Sequence, residues 1–218
     1  MKILVIAPHP DDEVLGCGGA LAKHAKEKDE IFLCIATKAY APDWSEEFLK
    51  NRPVEIKKAG KILGVKKTYF LDFQTVKLDT VSQKEVNERL SGCVEEVKPD
   101  IMYIPHKGDL HKDHRLIFEA CLVAARPLNH KIKKILSYET LSETGWGQMI
   151  EFFVPNVYVD ISDVFEKKIE AMKAYGSELR KYPHPRSLET IEILAKKRGS
   201  EAGMKLAEAF MLIREIQE

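Results

Sequence analysis

The stretch KILVIAPHPDDE, residues 2–13, joins a short apolar run directly to a cluster of acidic side chains. The apolar part has the length of a buried strand, and the pattern from Val14 to Lys28 predicts a helix after it. A buried strand that leads into a helix is typical of a parallel sheet covered by helices. Folding alone gives no reason for the cluster, because neighbouring carboxylates repel one another and lose hydration when they are buried.

The rest of the chain continues this alternation of apolar runs and amphipathic segments. Further strands are predicted at residues 31–37, 68–73, 101–105, 135–139 and 156–161. Helices are predicted at 46–63, 82–97 and 113–125, and the remainder is predicted to be mostly helical. In the last helix, Leu206, Phe210 and Ile213 would share one face. We therefore predict an α/β fold, a Rossmann-like and mostly parallel sheet with helices on both faces, as a single domain over residues 1–218.

Composition narrows the class of protein. The 218 residues carry a formal net charge of +0, which gives no support for a nucleic-acid partner or an anionic membrane surface. No apolar stretch approaches the roughly 20 residues of a membrane span. The four cysteines form no CxxC pair, and three of them, Cys34, Cys93 and Cys121, lie in apolar patterns that predict burial. A reduced, cytoplasmic setting fits this cysteine usage.

The strand order decides where a site would lie. With the order 3-2-1-4-5, strands 1 and 4 are neighbours at the reversal point, where such sheets bind ligands beyond the carboxyl ends of their strands. HPDDE (9–13) follows strand 1, and PHKGDLHKDH (105–114) follows strand 4. We therefore predict a site at the C-terminal ends of strands 1 and 4. The irregular segment 140–156 is either a lid or a substrate loop.

Four of the seven histidines lie in these two loops, namely His9, His106, His111 and His114. His9 and His114 with one carboxylate would give the three protein ligands of a catalytic zinc site, which lowers the pKa of its bound water toward about 7. A neighbouring carboxylate would then act as general base. His111 would serve as an acid or oxyanion stabiliser, and Asp113 would hold one of the imidazoles.

Each of these residues also has a simpler interpretation on its own. Asp12 or Asp113 could cap the helix that follows, and a lone loop histidine is usually solvated. Two loops that converge favour a site. We predict that His24, on a lysine-rich helix face, and His130, in a basic loop, are solvated. GCGG (16–19) lacks the spacing of a phosphate-binding loop, so its glycines are predicted to permit close packing of the helix start.

HPDDE together with HKDH (111–114) resembles the LmbE-like (PIG-L) family of metal-dependent deacetylases. Three further segments resemble parts of that family: RPVEIKKAGKILGV (52–65), YPHPRS (182–187) and RGSEAGMKLAEAF (198–210). The resemblance implies a zinc-dependent hydrolase, with one Zn2+ per chain, that removes acetyl from an N-acetylglucosamine-type amino sugar. It implies a small-molecule substrate, and it leaves a homo-oligomer open.

The resemblance also implies roles for individual residues. Three of them look like metal ligands: His9, Asp12 and His114. Asp11 looks like the general base, and His111 looks like the oxyanion stabiliser or acid, supported by Asp113. Arg52 matches a family arginine that contacts substrate hydroxyls. Arg186, in YPHPRS, is predicted as a second substrate contact, with a purely structural bond as an equal alternative.

This sequence departs from the family pattern at several positions. Lys112 stands where a proline is common, and Asp109 stands where some relatives have a tyrosine, so Tyr138 is a candidate for oxyanion stabilisation instead. The alternative function is a Rossmann-like metabolite- or nucleotide-binding module with a non-catalytic metal. Asp11 argues against it, since a structural zinc site has four protein ligands and no use for an additional free carboxylate. A metallo-phosphoesterase would need more carboxylates for two metals.

Overall fold

A computed structural model describes residues 1–128 and 131–217, so the prediction for His130 lies outside the described residues. The strands are β1 (Lys2–Ala7), β2 (Glu30–Lys38), β3 (Val65–Gln74), β4 (Ile101–Ile104), β5 (Lys134–Tyr138), β6 (Val157–Asp160) and β7 (Ala207–Glu215). The helices are α1 (Asp12–Lys26), α2 (Glu46–Leu63), α3 (Gln83–Val97), α4 (Lys112–Ala124), α5 (Phe165–Ala174) and α6 (Leu188–Ala202). None of the helices in these two ranges is long and apolar enough to cross a membrane.

The strands form one sheet in the order β3-β2-β1-β4-β5-β7-β6. The pairs from β3 to β5 are all parallel, while β7 runs antiparallel to both β5 and β6. The predicted order 3-2-1-4-5 and the mostly parallel α/β fold are therefore confirmed. The order reverses between β1 and β4, so the loops that follow these two strands lie side by side.

The predicted last helix is wrong. Helix α6 ends at Gly203, whose φ of 69° is the left-handed conformation that terminates helices, and residues 207–215 form strand β7. The prediction failed because the spacing of Leu206, Phe210 and Ile213 also fits one face of a helix. In the sheet, β7 lies between β5 and β6, and all of Ala207–Phe210 is buried. A strand covered on both faces shows no alternation that would distinguish it from a buried helix.

Each face of the sheet has its own apolar core, because successive β1 side chains point to opposite sides. Ile3 and Val5 pack with residues of α1, α2, α5 and α6. Leu4 and Ile6 pack with residues of α3 and α4. The predicted helices on both faces are confirmed. All four cysteines are free and buried, as predicted for three of them.

Helix α1 is interrupted at Cys17, whose φ of −144° is not helical. The interruption frees backbone N–H groups for a partner from the far end of the chain. Gly19 and Ala20 donate their N–H groups to the carboxylate of Glu208 in β7, at 2.8 and 2.7 Å. The buried ammonium of Lys168 in α5 donates to the same carboxylate at 2.5 Å. Strand β7 and helix α5 thus hold the first helix in place on the sheet.

The glycines of GCGG let α1 approach the sheet closely. A Cβ atom on Gly16 would lie 2.2 Å from the ring of Tyr138 in β5. A Cβ on Gly19 would lie 2.7 Å from Ile161. Both distances are too short for a side chain, so the predicted close packing is confirmed. The consequence is a fixed position for the helix start, where Asp11 and Asp12 lie.

Candidate metal centre and its cleft

The loops after β1 and β4 meet at the predicted place. His9 follows β1, and Asp12 is the first residue of α1. His111 caps the N-terminus of α4, and His114 lies in the first turn of that helix. Because β1 and β4 are hydrogen-bonded neighbours, these elements bring both loops to one edge of the sheet. Asp11 and Asp113 lie in the same cluster, and Arg52 and Arg186 line the cleft above it.

Three side-chain atoms face one another at the centre of the cluster. His114 Nε2 lies 3.2 Å from Asp12 Oδ2 and 3.2 Å from His9 Nδ1, and His9 Nδ1 lies 3.5 Å from Asp12 Oδ2. A tetrahedral zinc ion with bonds of about 2.0–2.2 Å separates its ligand atoms by about 3.3 Å. The three atoms therefore have the spacing that a small divalent cation requires.

The opposite nitrogens of the two imidazoles explain why these atoms need a cation. His9 Nε2 donates to Asp113 Oδ2 at 3.0 Å, and His114 Nδ1 donates to Asp109 Oδ2 at 2.8 Å. A neutral imidazole that donates from one nitrogen presents a lone pair at the other. Two lone pairs and the carboxylate oxygen of Asp12 thus converge, which is unfavourable unless a proton or a metal ion lies between them. Carboxylate–histidine pairs of this kind orient metal ligands.

The pKa values of His9, Asp12 and His114 also indicate that a positive charge between these side chains is favourable. Burial lowers the pKa of His114, but the carboxylates of Asp12 and Asp109 outweigh it and raise that pKa well above its usual range. Burial also opposes charge on His9, and its bonds to Asp113 and Asp12 raise the pKa nevertheless. Burial would raise the pKa of Asp12, but the two imidazoles lower it strongly. In the absence of a metal, protons take the place of the cation.

Asp109 is a site residue that the sequence analysis treated only as a departure from the family pattern. It is fully buried, and besides His114 it accepts a bond from the hydroxyl of Thr144 at 2.5 Å. Thr144 Oγ1 in turn accepts from the backbone N–H of Thr140 at 2.8 Å. The only sequence signal for Asp109 was its place in the same loop as His114. The start of segment 140–156 is thereby fixed to the metal centre.

The carboxylate of Asp113 lies nearer to His9 than to His111. Its Oδ2 also accepts from the backbone N–H of Val76 at 2.8 Å, and it lies 3.9 Å from His111 Nδ1. His111 Nδ1 accepts instead from the backbone N–H of Asp113 at 3.2 Å. Burial, together with the nearby charges of His9 and His114, lowers the pKa of His111 to about 4. The neutral imidazole then carries its proton on Nε2.

Asp11 has an unusual backbone and an unusual carboxylate. Its φ of 110° lies in the left-handed region, which residues other than glycine rarely adopt. Its Oδ2 is buried without a hydrogen-bond partner among the described residues, and the nearest cation is Arg186 at 3.8 Å. Burial, followed by repulsion from Asp12, raises the pKa of Asp11 well above its usual range. The carboxylate is therefore a strong proton acceptor at the edge of the metal centre.

Glu13 holds this strained turn in place, and the sequence analysis assigned it no role. One of its oxygens accepts from the backbone N–H of Asp11 at 3.1 Å. The other accepts from the hydroxyl of Tyr175, in the C-terminal third of the chain, at 2.6 Å. Glu13 is completely buried, and burial raises its pKa to about 7. The bond to Tyr175 spans 162 residues of sequence, so no local pattern could reveal it.

One carboxylate joins the two predicted substrate arginines. Glu178 forms short ion pairs with both Arg52 and Arg186. The Arg52 guanidinium also stacks over the ring of Phe48, with 4.4 Å between its carbon and the ring centre. These groups line a cleft of about 430 Å³ that reaches the metal centre and includes Glu143. The arginines therefore lie where a substrate's polar groups would pass.

The remaining candidates lie elsewhere. Tyr138 is fully buried and donates its hydroxyl to the carbonyl of Ile6 at 2.8 Å, so it is not among the residues that line the cleft. The prediction of a solvated His24 is wrong, because its ring bonds Asp29 at 2.8 Å and the Tyr103 hydroxyl at 3.0 Å. The end of α1 covers that ring because it packs against Tyr103 of β4, an inner strand of the sheet. His106 is buried beside the metal centre without joining it.

The fold and these side chains define an α/β protein with a candidate His-Asp-His metal-binding group at the switch point of a mostly parallel sheet. The family described as "PIG-L: GlcNAc-PI de-N-acetylase" matches residues 4–125, and the chain belongs to it. The predicted family is thus confirmed. Members of this deacetylase family are metal-dependent, and the described residues include the candidate ligand group His9, Asp12 and His114.

Two curated relatives carry deacetylase names. The "Uncharacterized deacetylase YaiS" of Escherichia coli is 32% identical over 80% of this chain and 90% of its own length. The "Diacetylchitobiose deacetylase" of Thermococcus kodakarensis is 31% identical over 81% of this chain and 70% of its own. Among solved structures, the 4-carboxy-2-hydroxymuconate hydratase GalB of Pseudomonas putida has a TM-score of 0.79, with 20% identity over 100% of this chain and 98% of that one. At that identity the likeness shows the fold alone.

Proposed function

We propose that this protein is a zinc-dependent N-deacetylase that hydrolyses the acetamide of an N-acetylglucosamine-type amino sugar, or of its conjugate, to acetate and a free amine. The observation that carries the proposal is the convergence of two imidazole lone pairs and the carboxylate of Asp12 beside Asp11, whose buried Oδ2 has no hydrogen-bond partner among the described residues. Such a set provides three ligands and, separately, a base. The deacetylase names of the two curated relatives support the choice of reaction.

The ligand roles fall to His9, Asp12 and His114, with Asp113 and Asp109 holding the two imidazoles. Zinc bound there would lower the pKa of water toward about 7 and would polarise the acetyl carbonyl. Asp11 accepts the proton of the attacking water and afterwards passes it to the leaving nitrogen. The His111 Nε2–H group stabilises the negative charge that develops on the carbonyl oxygen. The C–N bond breaks, and acetate and the amine leave.

The two arginines have a positioning role in this proposal. Arg52 and Arg186 hydrogen-bond the sugar hydroxyls, and Glu178 holds both guanidinium groups in place. A non-catalytic nucleotide-binding module is not favoured, because it would have no use for the buried Asp11 oxygen that lacks a hydrogen-bond partner. The same fold occurs in a hydratase, so hydration of an unsaturated acid is the control reaction for the test below.

The test combines a substrate panel with two isosteric variants. We expect the zinc-loaded protein to release acetate from at least one N-acetylated amino sugar and not to hydrate unsaturated acids. Asp12→Asn should lose zinc and activity together, because an amide is a poorer zinc ligand than a carboxylate. Asp11→Asn should keep zinc but lose kcat by about 10²-fold or more, because it cannot accept the proton. Asp79→Asn, at an exposed ion pair with Lys112, is the matched control.

Three results would overturn the proposal or its assignments. Full activity of metal-free protein would remove the mechanism. If Asp11→Asn lost zinc while Asp12→Asn kept it, the ligand and the base would have to be exchanged. If both variants kept zinc and normal turnover, the acidic turn after β1 would not be the active site. Zinc content is measured by elemental analysis and turnover by acetate release.

A further inference from the structure

A second cavity, of about 530 Å³, lies beside the cleft of the metal centre. It is lined by the end of β2, the chain that follows it, the first half of α2, and the end of β3 with the residue after it. Its walls are largely aromatic and aliphatic, with Tyr40, Trp44, Phe48, Leu49 and Ile56 among the lining residues. Its volume lies within the range of about 300–1,000 Å³ that is typical of ligand pockets. The metal chemistry described above makes no use of it.

The two cavities share a border. Trp44, Phe48 and Arg52 line both of them, together with Pro10 and Glu178. A ligand held at the metal centre would therefore extend past Arg52 and Glu178 before it reached the second cavity. The border offers charged hydrogen-bonding groups, whereas the wall beyond it offers aromatic rings. This order suits a molecule with a polar ring near the metal and an apolar group attached to that ring.

We propose that the amino sugar substrate carries an apolar aromatic or alkyl group, and that this group binds in the cavity lined by Tyr40, Trp44, Phe48 and Leu49. The inference rests on the proposed deacetylase function and adds the substrate class to it. Burial of apolar area against these rings supplies binding energy far from the reacting bond. The acetyl group reacts at the metal centre, whereas this cavity lies beyond the border formed by Arg52 and Glu178.

The first measurement compares glycosides that differ only in the apolar group. We expect kcat/KM for amine release to be at least about 30-fold higher for hexyl than for methyl N-acetylglucosaminide, since each buried methylene is worth about fourfold and burial of half of the five added methylenes already gives this ratio. Leu49→Gln should reduce this hexyl-to-methyl ratio by about 10-fold or more. Val54→Gln is the matched control on the same helix, at a position 66% exposed and outside the cavity lining, and should leave the ratio unchanged.

The second measurement does not depend on turnover. The chain has two tryptophans, and Trp146 is exposed, so Trp146→Phe leaves Trp44 as the reporter within the cavity. Hexyl glucosaminide, the product form, should change the Trp44 fluorescence of the zinc-loaded protein and bind at least about 10-fold more tightly than methyl glucosaminide. Leu49→Gln should remove that difference in affinity.

The outcomes separate this inference from the proposed function. Acetate release from the methyl glycoside with no gain from the hexyl group would overturn the inference and leave the deacetylase proposal standing. A methyl glycoside with an N-hexanoyl group in place of N-acetyl is the second comparison. If its kcat/KM rose as much as that of the hexyl glycoside, the cavity would bind the acyl group, and the inference would be overturned. If hexyl glucosaminide changed the Trp44 signal but no glycoside was hydrolysed, the deacetylase proposal would fail and with it the assignment of this group to a substrate.

Discussion

Asp109→Asn should weaken zinc binding without unfolding the protein. Asp109 accepts from His114 Nδ1 at 2.8 Å and from the Thr144 hydroxyl at 2.5 Å, and Asp109 and His114 are both fully buried. An asparagine has the same shape and can still accept from His114 through its carbonyl oxygen. Its amide group can donate to Thr144, whose hydroxyl can rotate to accept. The substitution therefore removes the negative charge and leaves the packing and the number of hydrogen bonds in place.

The charge determines the size of the effect. A hydrogen bond to a charged group is worth about 1.5–3 kcal/mol and a neutral one about 0.5–1.5 kcal/mol. The difference of about 1–2 kcal/mol corresponds to about 5- to 30-fold in a binding constant, which overlaps the lower part of the 10- to 100-fold losses of metal affinity that follow removal of a partner behind a ligand histidine. We therefore expect the zinc dissociation constant to rise by about 10- to 30-fold.

The assay is competition for zinc with a fluorescent chelator, with the thermal unfolding midpoint of the metal-free protein as the check on folding. Asp79→Asn is the matched control, because it makes the same change in a carboxylate that bonds Lys112, at the start of the same helix, on the surface. It should leave zinc affinity unchanged. A folded Asp109→Asn protein with wild-type zinc affinity would refute the argument that Asp109 sets the charge and orientation of His114.

Three further predictions concern the cleft and the first helix. His111→Ala should keep its zinc but lose about 10²-fold in kcat, the scale of losing an oxyanion or acid group, and loss of zinc content would contradict this role. Arg52→Gln and Arg186→Gln should each raise KM more than they lower kcat, whereas a lower thermal midpoint with normal KM would indicate a purely structural role. Gly16→Ala should destabilise the protein by about 1–3 kcal/mol in urea unfolding, because its Cβ would lie 2.2 Å from a tyrosine ring of β5. Gly92→Ala, where a Cβ meets nothing within 4 Å, is the control and should not destabilise.

The sequence alone was sufficient for the centre of the sheet and the position of the site. Parallel strands need covered faces, so their apolar runs stand out between amphipathic helices. Once the order 3-2-1-4-5 is assumed, the loops that hold His9 and His114 must adjoin. The motifs HPDDE (9–13) and HKDH (111–114) then indicated the family. The roles of individual residues, the single domain, the cytoplasmic location and the homo-oligomer stay predictions.

The parts that sequence reasoning missed depend on long-range contacts. Strand β7 is rich in residues that also suit helices, and its place between β5 and β6 decides its conformation. Asp109 lies near His114 in sequence, but its role became visible only through the bond between them. Glu13 was counted among the acids of the loop, whereas its carboxylate bonds Asp11 and Tyr175 and takes no part in the ligand group.

The contacts that hold the start of α1, from Glu208 and Tyr175, have a consequence for the synthesis of the protein. Glu208 is separated from Gly19 by 189 residues, and Tyr175 from Glu13 by 162. While the ribosome is still making the middle of the chain, the acidic turn and the helix after it have emerged without the partners that hold them. Both loops of the metal centre are then present in the nascent chain, but the turn that positions Asp11 and Asp12 is not yet fixed. We therefore expect the ordered centre to form only after β7 has left the ribosome, and zinc binding to be weaker in a nascent chain that ends before residue 207 than in the full chain.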